Sequence, residues 1–188
     1  MSSQRLIVFV LALAAALGAY AVWWSDKAET VSEAYNKQFF ALFPQGTRIS
    51  YIVQDSGGFP FRIYHTLSHV AVSVPGYGKM SLEAVDLIHE PWTDNHMIIR
   101  FDGKVVRTDA EGALVWSMTA EKNLASLVGG PSGQRSFDQD MRGIVLEGAE
   151  ETREIPALQF HAKTTGWFGD NSTESIIVTE AEGVPSLY

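Results

Sequence analysis

Cysteine is missing from all 188 residues. Its absence removes disulfide frameworks, cysteine-ligated zinc, iron–sulfur clusters and thiol nucleophiles together. Basic residues are scarce as well: 14 Lys and Arg stand against 22 Asp and Glu, a net charge of −8. Nucleic-acid binders displace counterions with a basic footprint, so no nucleic-acid partner is expected. Glycine (16) and proline (7) are too few for a collagen-like or proline-rich scaffold. No repeat recurs at a fixed period, and no Pro- or Ser-rich linker divides the chain. What is present is 46% hydrophobic sequence, enough for one packed domain.

The charge is unevenly spread. Arg5 is the only charged side chain before Asp26, and the remaining 163 residues carry a net charge of −9. Leu6 to Trp24 is a charge-free apolar run of 19 residues. As a helix it would span roughly 28 Å, close to the hydrocarbon thickness of a bilayer. Arg5 before it, with Asp26 and Glu29 after it, put the N-terminus inside and the bulk outside by the positive-inside tendency. Trp23 and Trp24 suit an aromatic belt at the outer interface. Two readings stand side by side: a retained anchor (residues 1–25), or a signal segment cut after the small-x-small triplet Ala19-Tyr20-Ala21. Both export residues 26–188, which are expected to form a single β-rich domain.

Residues 26–43 read as an amphipathic helix. Ala28, Val31, Tyr35, Phe39 and Leu42 share one face, and Pro44 and Gly46 end it. Beyond Arg48 the period changes to two. Ile49/Tyr51/Val53, Phe59/Phe61/Ile63, Val70/Val72/Val74, Met97/Ile99/Phe101, Leu114/Trp116/Met118 and Leu158/Phe160/Ala162 each predict a strand with one buried face. Asp102-Gly103 reads as a two-residue hairpin, and Asp109 to Gly112 as a second turn. Glu121 to Val128 reads as a short helix, Glu147 to Glu154 as a solvated turn or edge, and Ile176 to Thr179 as a last strand. The fold class is therefore α+β: an N-terminal transmembrane or signal helix running into an amphipathic helix, then a curved antiparallel meander.

Chemistry-bearing patterns are few. His65 and His69, four apart on an extended segment, would share a face yet stand about 13 Å apart. His89, Glu90, Asp94 and His96 place four metal-ligand types in one loop, which an ordinary inter-strand loop explains without an ion. Gly129-Gly130-Pro131-Ser132-Gly133 lacks the strand-to-helix context of a nucleophile elbow. Gly76-Tyr77-Gly78 lacks the third glycine and the helix of a phosphate loop, so a hairpin is expected there. Asn171-Ser172-Thr173 has the form of a glycosylation acceptor. The acidic pairs Asp138/Asp140 and Glu150/Glu151 carry little information in so acidic a chain. No cofactor, no metal and no catalytic residue is expected, and an esterase- or metal-type enzyme is the remote alternative.

The most distinctive stretch is Gly58-Phe59-Pro60-Phe61-Arg62. It resembles the signature of domain of unknown function family 2125, uncharacterised alphaproteobacterial envelope proteins. The apolar N-terminus ending in Trp, the Pro-Trp loop with Asn95-His96, and Ala125-Ser126-Leu127 are similar too. The resemblance implies an exported, membrane-associated protein without known catalysis. Members tend to be longer than this chain, so a missing C-terminal half would leave a shortened sheet. Read from its own residues, the signature is a glycine turn followed by a strand, with Phe59, Phe61 and Ile63 in the core and Arg62 outside.

These strands expectedly gather Phe59, Phe61, Trp116 and Phe160 on one apolar sheet face, the candidate ligand-binding surface. If the Ala28–Leu42 helix covers that face it is core; where it stays open it is a groove for a lipid or other apolar envelope ligand. The expected function is a non-enzymatic, inner-membrane-anchored periplasmic protein, with the bilayer as partner through its N-terminal helix. A structural or assembly subunit docking on an envelope protein is the alternative.

Overall fold

A computed structural model describes residues 3–40, 46–93, 95–129, 135–148 and 150–164. One helix, α1 (Ser3–Phe40), takes up the apolar run and the stretch after it without a break. No proline falls within it and Gly18 is its one glycine, so nothing interrupts a segment rich in Ala and Leu. Its 38 residues rise about 57 Å. Gln4–Thr30 is long and apolar enough to cross a membrane. The expected end of the amphipathic part, 41–43, lies outside the described residues, as does the strand expected at Ile176–Thr179.

Eight strands follow: β1 (Arg48–Gly57), β2 (Ile63–Val74), β3 (Gly78–His89), β4 (His96–Thr108), β5 (Leu114–Thr119), β6 (Lys122–Gly129), β7 (Arg135–Gly148) and β8 (Thr152–Thr164). Every pairing is antiparallel. β5 lies along the C-terminal half of β4 and β6 along its N-terminal half. Both pair β7 in one register, from Trp116↔Gly148 through Lys122↔Arg142 to Gly129↔Arg135. β5 and β6 are thus one lane interrupted at Ala120-Glu121, and among the described residues the sheet is an up-and-down meander of seven lanes. Among the described residues β1 and β8 are its edges. The β1–β2 and β3–β4 turns fall at one end of the sheet. The β2–β3, β4–β5 and β7–β8 turns fall at the other.

The core lies on the concave face. Leu67, Val70, Val72, Val85, Leu87, Met97, Ile99, Ala125 and Leu127 form one buried cluster, against which Ile49, Tyr51 and Phe137 pack from both flanks of the curl. The polar face carries cross-strand partners: Asp86 accepts from Thr66 and pairs with Arg100, and Lys122 pairs with Asp140.

Several sequence expectations are corrected here. Glu121 to Val128 is not a helix: β6 takes Lys122–Gly129, because Asn123, Ala125 and Leu127 alternate inward while Leu124 and Ser126 face out. Asp102-Gly103 makes no hairpin. β4 runs through it, and Gly103 and Lys104 together oppose Glu83, a bulge whose first residue needs the left-handed φ of +81°. His65 and His69 do not share an extended face. His69 has φ +53° and sits with Val70 opposite Tyr51, a second bulge that switches the inward residues of β2 from Leu67 to Val70. The turn at Gly76-Tyr77 and that at Asp109–Gly112 stand as expected.

The signature strand is also corrected. β2 starts at Ile63, which is buried, whereas Phe59 and Phe61 stand 51% and 67% exposed. Phe59 to Phe61 form the turn itself, with the amides of Phe61 and Arg62 both donating to the Gly58 carbonyl. Gly58 holds φ +107°, and a Cβ there would lie 2.4 Å from the Arg62 carbonyl oxygen, so the glycine is what lets the turn close. Phe59 packs on α1 instead of on the core, 5.8 Å from Tyr20 and 5.5 Å from Trp24 between ring centroids.

Candidate functional site

The candidate site is a cleft on the concave face. Where the sheet curls past its filled half, Met80 and Leu82 of β3, Phe101 and Val105 of β4, and Trp116 and Met118 of β5 surround a cavity of about 390 Å³. Phe137 and Phe160 from β7 and β8 complete the wall. Each side chain gets there by strand alternation. Trp116 and Met118 turn inward while Ser117 between them bonds Glu147 on the polar face, Oγ to carboxylate at 2.8 Å. Phe160 faces in with Leu158 and Ala162 on either side at the same parity.

The lining is carbon with one polar exception. Gln139 donates through Nε2 to the Asn123 Oδ1 at 2.7 Å, bridging β7 and β6 across the cavity floor. That bond satisfies half of each amide, leaving Asn123 its N–H donors and Gln139 its carbonyl. An apolar chamber with a single amide pair can hold an aliphatic chain and meet one carbonyl or hydroxyl on it. Among the described residues its lining includes no carboxylate, imidazole or aliphatic hydroxyl.

Of the four residues expected on the ligand face, the structure brings Trp116 and Phe160 together at the cleft. It places Phe59 and Phe61 at the end of the sheet beside α1. Val70 and Val72 line the cleft as well. The covering role expected of residues 28–42 is not seen among the described residues. α1 meets the domain along Tyr20, Ala21, Trp24, Lys27 and Ala28, its half-buried stripe. Tyr20 also donates its hydroxyl to the Pro60 carbonyl. Met80, Leu82, Phe137, Gln139 and Asn123 went unassigned in the sequence. β3 lacks strict alternation because its inward residues jump from Leu82 to Val85, and β7 carries Arg, Asp and Gln that mask Phe137.

The histidines do not converge. His89 is buried, its Nδ1 2.8 Å from the His96 carbonyl, while His96 lies on the opposite face with Nε2 3.0 Å from Ser126 Oγ. Asp94, the Ser132 loop and Asn171 lie outside the described residues. Among the described residues no three His, Asp or Glu side chains gather as metal ligands. Elsewhere on the polar face, hydrogen bonds from Lys104 and Ser117, with the lysine charge, hold the Glu147 carboxyl below the usual glutamate range. The Lys122 ammonium does the same for Asp140. His65, its Nδ1 2.7 Å from Ser56 Oγ, is pushed below its ordinary value by burial.

A family model described as an uncharacterized protein conserved in bacteria (DUF2125) matches residues 24–176. No curated protein and no solved structure matches the chain.

Proposed function

The chain belongs to this bacterial family, and on that premise we propose that it is a non-enzymatic envelope protein that holds an acyl-type ligand in its concave cleft. α1 stays in the inner membrane as an uncleaved anchor, with Arg5 on the cytoplasmic side and the sheet in the periplasm. One observation carries the ligand: the cleft around Trp116, Phe137 and Phe160, whose volume of about 390 Å³ falls in the roughly 300–1,000 Å³ range of small-molecule sites. An apolar cavity of that size left to water would forgo the burial that fills the other half of the same face.

Native mass spectrometry of the full-length chain extracted in mild detergent tests this reading. A bound lipid that is retained by the native protein and lost on Trp116→Gln is the expected result. A lipid-free protein that still carries an intact cleft would reject it. N-terminal sequencing decides the anchor: Met1 or Ser2 is expected, and Val22 would mean cleavage. A second reading, an assembly subunit, is favoured by strand β1, an edge among the described residues, where Ile52 and Val53 stand 59% and 55% exposed. Stoichiometric protein partners in the same spectra would favour it.

A further inference from the structure

Among the described residues of the sheet, three of the four exposed aromatic side chains fall at one end, and the fourth, Tyr77 at 70% exposed, falls at the other. Phe59, Phe61 and Trp92 all lie in the β1–β2 and β3–β4 turns, at one end of the meander, and Trp92 is 57% exposed. Phe59 reaches α1 at Tyr20 and Trp24, which are themselves the last turn of the apolar run Leu6–Trp24. The helix is exposed from Gln4 through Ala19 and first meets the domain at Tyr20. The chain path agrees. From Trp24 the helix continues 16 residues to Phe40, a climb of about 24 Å, and β1 then returns to bring Gly57 and the signature turn back to the level of Tyr20.

The two ends differ in charge as they do in apolarity. Turns at the far end carry Asp109, Glu111, Glu150 and Glu151, a poor match for an anionic lipid surface. The near-end turns are less acidic: their sequence has Glu90 and Asp94 beside Trp92, against which Arg62 in the turn beside Phe61 sets an exposed cation next to an exposed ring. Aromatic side chains with a neighbouring cation are the composition of a membrane–water interface.

We infer that Phe59, Phe61 and Trp92 seat this end of the sheet in the outer face of the same bilayer that α1 crosses, so that the domain lies on the membrane and does not stand off it on a tether. The inference rests on α1 being a retained anchor. The absence of cysteine makes the test direct, because one introduced cysteine gives one label site. Full-length Phe61→Cys, Trp92→Cys, Tyr77→Cys and Ala14→Cys proteins, each carrying a nitroxide, are reconstituted in phosphatidylethanolamine–phosphatidylglycerol vesicles. Relaxation by oxygen, which partitions into lipid, is compared with relaxation by a water-soluble nickel chelate.

Positions 61 and 92 should favour oxygen several-fold over position 77 at the far end, with position 14 the most lipid-like. If position 14 is lipid-buried while 61 and 92 are as aqueous as 77, the proposal is overturned and the anchor stands. If position 14 is itself aqueous, the anchor reading fails and takes the proposal with it. Shielding of 61 and 92 from both reagents would show contact between two copies of the chain, and also overturns the proposal.

Discussion

Phe137 and Phe160 meet edge to face, 5.9 Å between centroids and 63° between planes, across the β7–β8 ladder. The pair builds the outer wall of the cleft from the last two lanes of the meander, far in sequence from Val70 and Val72 on the opposite wall. Removing one ring opens that wall while leaving the filled half of the core intact. Phe160→Ser and Trp116→Gln should each weaken saturable binding of a fluorescent fatty acid by roughly tenfold or more, equivalent to about 1.4 kcal/mol. The melting temperature should move much less than a core deletion moves it. Fluorescence titration beside a thermal melt checks both halves of the expectation.

Stability should follow burial and disregard the signature's aromatic look. Leu67, 1% exposed at the centre of the buried cluster, should cost about 2–5 kcal/mol on truncation to alanine. Phe61→Ala should cost under about 1 kcal/mol, since its ring meets solvent or lipid. Urea titrations of both variants in the same detergent rank them; a larger loss at Phe61 would mean that its turn is core.

Gly58 should be the sensitive position of the signature. Gly58→Ala meets both a left-handed φ and the Arg62 carbonyl, and should cost roughly 1–3 kcal/mol. Gly76→Ala shares a positive φ of +78° but has open space around its Cβ, so its cost should stay near about 1 kcal/mol. Equal losses at the two positions in a thermal melt would show that the Arg62 contact is relieved.

Acid should destabilise the fold in two stages. His65 is held below its ordinary value of 6.5, so on acidification the unfolded chain takes up that proton first and stability falls from about pH 6.5 downward. Glu147 and Asp140 are likewise depressed, so their contribution is complete above the ordinary carboxylate values and is lost as pH falls through the native ones. Melting temperature against pH should therefore begin to drop near neutrality and drop again in the carboxylate range. His65→Gln should flatten the first fall and Glu147→Gln the second.

Much of this was legible in the sequence, and the failures share a cause. The apolar run, the turns at Gly76 and Asp109, and the inward sets Val70/Val72, Met97/Ile99 and Trp116/Met118 follow from hydrophobic period alone. Phe59 and Phe61 also alternate with Ile63, but a turn held by Gly58 places them before the strand begins, and period cannot register where a strand starts. β6 was hidden because Lys-Asn-Leu-Ala-Ser-Leu-Val has good helix formers and an inward set, Asn123, Ala125 and Leu127, in which Leu127 is the one large hydrophobe; pairing with β4 and β7 overrides that propensity. Trp116 and Phe160 could be placed on one face, but their shared cleft with Phe137 depends on the curl of the sheet.

That curl is set where Tyr51, His69, Glu83 and Gly103 cross neighbouring strands in a row. Against one residue of β1 stand two of β2, and against one of β3 stand two of β4. The outline of the cleft is thus written in how many residues each strand places across that row, whereas its chemistry is written in which residues they are. A side-chain substitution at Trp116 or Phe160 changes the lining and leaves the strand register that shapes the hollow. A one-residue deletion at His69 would restore even alternation in β2 against β1 at this row and leave Glu83 of β3 without a partner in β2. The lining can therefore vary one side chain at a time, while strand lengths at this row must change together or not at all.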